Sequence, residues 1–120
     1  MTTGNVYLLE RFNAAFNKHD VGAMMDLLTL DCVFENTFPA PDGTRYQGWH
    51  AVRDFWADFF VQSPQAHIQI EEMMVNADRG AQRWVYTWVN PDGSLGHVRG
   101  VDVIHFRDGK ILAKFSYVKG

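Results

Sequence analysis

Asp102 sits between two valines in Gly100-Val-Asp-Val-Ile104, a run whose β-branched residues favour a strand. Alternation then puts Asp102 on one face with Gly100, Ile104 and Phe106. A carboxylate on such an apolar face must be paired, hydrogen-bonded or held neutral, which makes Asp102 a candidate pocket carboxylate. Gly100 has no side chain, which leaves room beside Asp102 for a ligand. The structural alternative is a carboxylate bonded to backbone, to Arg83 or to Arg99. Asn36 is the second polar candidate. It follows Cys32-Val-Phe-Glu at a strand end. Either it points inward with Cys32 and Phe34, as a polar positioning group, or it caps the turn through its side chain.

Other chemistries find less support. His97 and His105 share a strand face but lie about 26 Å apart on an extended chain, so they do not ligate one metal, and no metal site is expected. There is no glycine-rich phosphate loop and no Gly-x-Ser-x-Gly elbow, and no cofactor is expected. Cys32 is the lone cysteine. Within a strand it reads as a packed small side chain, and it suits a reducing compartment. The formal charge is -3 and no two of the 11 basic residues are adjacent. Binding to a phosphate backbone is therefore not expected. No stretch approaches the ~20 apolar residues that span a bilayer, and the start Met-Thr-Thr-Gly-Asn lacks the pattern of a signal peptide. The expected location is the cytoplasm.

The elements that must hold Asp102 and Asn36 follow from periodicity. Val6, Leu9, Phe12 and Phe16 recur at helical spacing, with Glu10, Arg11, Asn13, Asn17 and Lys18 between them. Asp20 reads as the N-cap of a short second helix carrying Met24, Met25, Leu27 and Leu28. Cys32-Val-Phe34 is a strand, and Pro-Asp-Gly marks a loop between Pro39 and Gly48. A third helix gathers Val52, Phe55, Trp56, Phe59 and Phe60, and ends at Ser63-Pro64. Beyond it the period becomes two, with Ile68 and Ile70 and then Arg83 to Val89 alternating. Asn90-Pro-Asp-Gly93 and Arg107-Asp-Gly-Lys110 are turns that bound strands His97–Phe106 and Ile111–Val118. Three helices, one early strand and four antiparallel strands make one α+β domain over residues 1–120, with the helices on one sheet face. The other face still carries large side chains, and a second copy of the chain is its simplest cover.

Asp31-Cys-Val-Phe-Glu-Asn36, Tyr46-Gln-Gly48, Gly100-Val-Asp-Val-Ile104 and Phe106-Arg-Asp-Gly-Lys-Ile111 together resemble the SnoaL-like branch of the nuclear-transport-factor-like (NTF2-like) and ketosteroid-isomerase-like superfamily. The resemblance covers essentially the whole chain. It implies a cystatin-like, cone-shaped roll: three N-terminal helices packed on a strongly curved, mostly antiparallel sheet. Beside ketosteroid isomerases, Asp102 falls on the protonated Asp that donates to the substrate oxyanion, whereas Asn36 and Phe12 replace the base Asp and the oxyanion-hole Tyr. Beside limonene epoxide hydrolases, Asn36 and Arg83 match an Asn and an Arg, Phe34 replaces a Tyr, and Val85 and Ser116 stand where carboxylates belong. The polyketide cyclases of the branch are similar in carrying an acid/base Asp in a Gly-Val-Asp-Val context.

What this implies is a small-molecule pocket protein, an isomerase or cyclase without a cofactor, acting on an apolar, oxygen-bearing, polyketide- or steroid-like molecule. Asp102 is its acid/base and Asn36 its positioning group. Phe12, Phe16, Phe34, Tyr46, Trp56, Phe60 and Ile104 form the wall, with Arg83 and Ser116 beside it. If Arg83 faces the pocket, then Trp84, Tyr86 and Trp88 face a homodimer contact on the outer sheet face; a bulge would reverse them. The competing readings are a non-catalytic ligand-binding or dimerisation domain and an epoxide-hydrolase-like enzyme.

Overall fold

The computed structural model describes residues 2–120; Met1, the first residue of the stretch read for a leader, lies outside them. Helix α1 (Thr2–Asn17) turns Leu9, Phe12 and Phe16 onto the sheet, as their spacing requires. Its end is pinned to the sheet by Asn17. There Nδ2 donates to the Ile68 carbonyl at 2.9 Å and Oδ1 accepts from the Ile68 amide at 2.8 Å. Asp20 caps the short helix α2 (Val21–Met25), its carboxylate accepting from the Ala23 amide at 3.0 Å. Strand β1 (Leu28–Glu35) and strand β2 (Arg45–Gln47) then form an antiparallel pair. Helix α3 (Trp49–Gln62) follows, with Val52, Trp56 and Phe60 buried, and stops at Ser63 before Pro64.

The remaining chain is a meander of β3 (His67–Asn76), β4 (Arg79–Val89), β5 (Leu95–Arg107) and β6 (Lys110–Val118). Neighbouring strands of this meander are antiparallel, and β6 also pairs with β1 in parallel. The α+β order of helices followed by strands agrees with the periodicity. β2 was missed because a three-residue strand is too short to show alternation.

The expected strongly curved, cone-shaped roll is not what forms. The sheet is open, in the order β2-β1-β6-β5-β4-β3, and its edge strands β2 and β3 do not pair. Curling a sheet onto itself needs breaks in register that bend the strands. Register shifts fall in the β1–β6, β3–β4 and β5–β6 ladders, but the central β4–β5 ladder has none, running unbroken from Arg79–His105 to Val89–Leu95.

One register shift does matter for the site. Phe106 pairs with Ile111 and His105 with Ala113, so Leu112 is an extra residue on β6. A bulge of this kind reverses the parity of everything beyond it. Lys114 and Ser116 therefore lie opposite Ile104 and Asp102 on the helix side, while Phe115 meets His105 on the other face at 5.3 Å between ring centroids.

Candidate ligand cleft

Asp102 faces the helices and is completely buried, at 0% exposure. Its partners come from both neighbouring strands, because Gln82 of β4 and Ser116 of β6 are its cross-strand pairs. Gln82 Nε2 donates to Oδ2 at 2.9 Å, and Ser116 Oγ donates to Oδ1 at 2.7 Å. Gln82 is held in turn by Asn13 of α1. Asn13 Nδ2 donates to Gln82 Oε1 at 2.8 Å, and Gln82 Nε2 also donates to Asn13 Oδ1 at 3.1 Å. This buried amide pair leaves neither side chain unsatisfied, as burial requires. Lys114 Nζ lies 3.6 Å from Asp102 Oδ1 and donates to Ser116 Oγ at 3.1 Å. The result is a line of polar groups, Lys114 to Ser116 to Asp102 to Gln82 to Asn13, crossing an apolar interior.

That line ends at a cleft of about 350 Å³ between α3 and the sheet. Phe16, Phe34 and Trp56 form one wall, and Trp84 and Tyr86 form another, with Lys114 and Ser116 between them. Trp56 stacks on Phe34 with 4.9 Å between ring centroids, and Phe55 stands edge-on to it at the same distance. Lys114 Nζ sits over the Phe34 ring at 4.6 Å and the Trp56 ring at 5.6 Å. An ammonium is attracted by both ring faces. Burial pushes the Tyr86 phenol above its ordinary value. The mouth is bordered by Asn36, Thr37 and Phe38, the last of them 72% exposed.

Of the residues singled out from sequence, Phe16, Phe34, Trp56, Asn36 and Ser116 line this cleft. Tyr46 and Phe60 stand one layer behind, Tyr46 4.6 Å from the Phe55 centroid and Phe60 5.3 Å from that of Phe16. Phe12 and Ile104 are core. Asp102 does not itself line the cleft, and Ser116 and Lys114, which do, contact it.

Arg83 is a correction. It lies on the opposite sheet face beside Glu72 at 3.6 Å, because the unbroken β4–β5 register puts it opposite Val101 and not Asp102. Arg99 is outward as well, bonded to Glu71 at 2.6 Å, so neither arginine is the partner of Asp102. Trp84 and Tyr86 accordingly line the cleft. Gly100 makes room, but for protein: a Cβ there would lie 2.5 Å from the Trp84 ring. Asn36 keeps to the turn-capping role, its Oδ1 accepting from the Thr44 amide at 2.8 Å and the Phe38 amide at 3.3 Å.

Lys114, Gln82 and Asn13 escaped the sequence reading. Asn13 was legible, being four residues after Leu9 and three before Phe16, on the buried stripe. Gln82 shares parity with Trp84. Lys114 was hidden by the Leu112 bulge, since alternation counted from Ile111 turns it outward.

Among the described residues no group of three potential ligands for a metal comes together, and no helix is long and apolar enough to cross a membrane. Cys32 is buried, and burial pushes its thiol up to about 11.

A family model described as a SnoaL-like domain matches residues 9–113. No curated protein matches the chain. Among solved structures, an NTF2-like protein of unknown function from Mesorhizobium loti is 37% identical, covering 99% of this chain and 93% of that one, with a TM-score of 0.84. A cystatin-fold protein from Novosphingobium aromaticivorans is 23% identical over 94% and 97%, with a TM-score of 0.81. TerC, co-crystallized with polyporic acid, is 15% identical over 97% and 92%, with a TM-score of 0.83. The last two likenesses establish shared fold alone.

Proposed function

The chain belongs to the SnoaL-like domain family, and on that premise we propose that it is a single-domain pocket protein, an isomerase or cyclase that moves a proton on a flat, apolar, oxygen-bearing molecule without a cofactor. The observation that carries the reading is the coupling of Ser116, which lines the cleft, to the fully buried Asp102 at 2.7 Å. As a substrate group gives a proton to Ser116 Oγ, the Ser116 proton passes to Asp102, and the reverse transfer returns it. Asp102 thus acts through Ser116, and the aromatic walls hold the substrate in place. Co-crystallisation of TerC, a protein of the same fold, with polyporic acid agrees with an oxygen-bearing organic occupant.

A second reading is a non-catalytic binder. It draws on the same carboxylate: both Asp102 oxygens already accept hydrogen bonds, and the group does not itself line the cleft. In either reading a second copy of the chain covers the outer sheet face, where Val103 and Tyr117 are 37% and 56% exposed. The epoxide-hydrolase set is set aside, because Arg83 and Ser116 lie on opposite faces.

The test has two stages. Wild type is screened for thermal stabilisation by small steroids, polyaromatic ketones, terpene epoxides and aromatic acids. A ligand at about 100 times its dissociation constant adds about 2.7 kcal/mol. A stabilising ketone is then incubated in deuterated buffer and followed by NMR. Exchange at the carbon beside the carbonyl, lost in Ser116→Ala and Asp102→Asn while binding persists, supports proton transfer. Binding with no exchange in wild type transfers support to the binder.

A further inference from the structure

We infer that Lys114 determines specificity in this cleft and that its ligand class is an aromatic or alicyclic acid bound as the anion, an inference that rests on the cleft's being a ligand site. Among the described residues Lys114 is the one ionised side chain that lines it. The other lining groups are aromatic, aliphatic, hydroxyl or amide. An ammonium carries three N–H donors and has no acceptor of its own. Here one donor meets Ser116 Oγ at 3.1 Å. Asp102 does not take a second at bonding distance. Its nearer oxygen is 3.6 Å away and already accepts from Ser116, while the other accepts from Gln82.

The remaining donors lie against ring faces, which attract a cation but offer no lone pair. With its side chain only 12% exposed, Lys114 has little access to water that would serve instead. An oxygen arriving from the cleft completes the coordination. An anionic oxygen does so with a charge-assisted bond at about 2.8 Å, roughly twice as strong as a neutral one. On the cleft side of Nζ it lies nearer the ammonium than the Asp102 carboxylate, so attraction exceeds repulsion. The flat walls of Phe34, Trp56 and Trp84 suit the ring that carries the acid.

Calorimetry on the intact chain at neutral pH, with 2-naphthoate and its neutral isostere 2-naphthamide as probes, tests this directly. Wild type should bind the carboxylate roughly ten-fold more tightly than the amide. That preference should vanish in Lys114→Met. Because this substitution strips a buried carboxylate of its counter-charge, the double variant Lys114→Met/Asp102→Asn is measured beside it, with circular dichroism to verify the fold. Loss of preference in the double variant, with amide binding retained, supports the assignment. Equal binding of both probes by wild type, or a preference that survives the double substitution, overturns it and leaves the pocket reading standing. Binding of neither probe by wild type also overturns the assignment, and the pocket reading is then decided separately by the thermal screen.

Discussion

At the scale of single residues, the buried polar line is where energy and chemistry meet. Removing one partner of a buried ion pair typically costs roughly 3–5 kcal/mol, because it strands the other charge. Lys114→Met should therefore destabilise by that order in urea unfolding, and Lys114→Met/Asp102→Asn should recover most of it. The pairwise coupling from the full cycle measures the interaction itself. Asn13 acts on Asp102 only through Gln82. Asn13→Leu leaves the Gln82 carbonyl without its donor and should cost about 1–3 kcal/mol. A loss below about 0.5 kcal/mol would show that water replaces Asn13 at this site.

At the scale of elements, two backbone features place the cleft. The bulge at Leu112 aims Lys114 and Ser116 inward. The Gly100–Trp84 cross-strand pair lets an indole lie flat over the sheet, since a Cβ at Gly100 would also come within 2.3 Å of the Tyr117 carbonyl. Gly100→Ala should thus lower stability by roughly 1–3 kcal/mol through overpacking. Tryptophan fluorescence should report the displaced ring. The loop after β1 has a similar constraint at Gly43, with φ of 73° and a would-be Cβ 1.9 Å from the Asn36 carbonyl oxygen. Gly43→Ala should open the Asn36 turn and loosen the cleft mouth, read as faster amide exchange at Thr44.

At the scale of the whole molecule, surface charges and the outer sheet face govern behaviour in solution. Asp31 of β1 bonds Arg107 of β5 across the sheet, one contact at 2.9 Å, and this holds its carboxyl at about 2, below the ordinary 3.8. A depressed carboxyl favours the folded state above its unfolded value. The contribution of this pair is therefore complete above about pH 4 and is lost as pH falls toward 2. In Arg107→Ala the Asp31 resonance should titrate near its ordinary value. Sedimentation should show a dimer for wild type and a monomer for Val103→Lys, which places a charge in the middle of the outer face. A wild-type monomer at high concentration would remove the proposed second copy.

The sequence by itself determined three helices, an early strand and the four later strands, the α+β order and the inward parity of Asp102, because burial periodicity is a local property of the chain. It placed Leu28, which opens β1, on the second helix and passed over β2. It also marked the aromatic residues that wall the cleft, although not which of them reach it. Tertiary structure alone decided that the sheet stays open and that β6 joins β1 in parallel, since strand neighbours are chosen by packing between distant segments. It likewise decided the partners of Asp102. Gln82 is twenty residues away in sequence and Ser116 fourteen, and they meet the carboxylate only through ladder register. The same register excluded Arg83. One extra residue on β6, silent in any count of alternation, turned Lys114 toward the helices and made it the charge within the cleft.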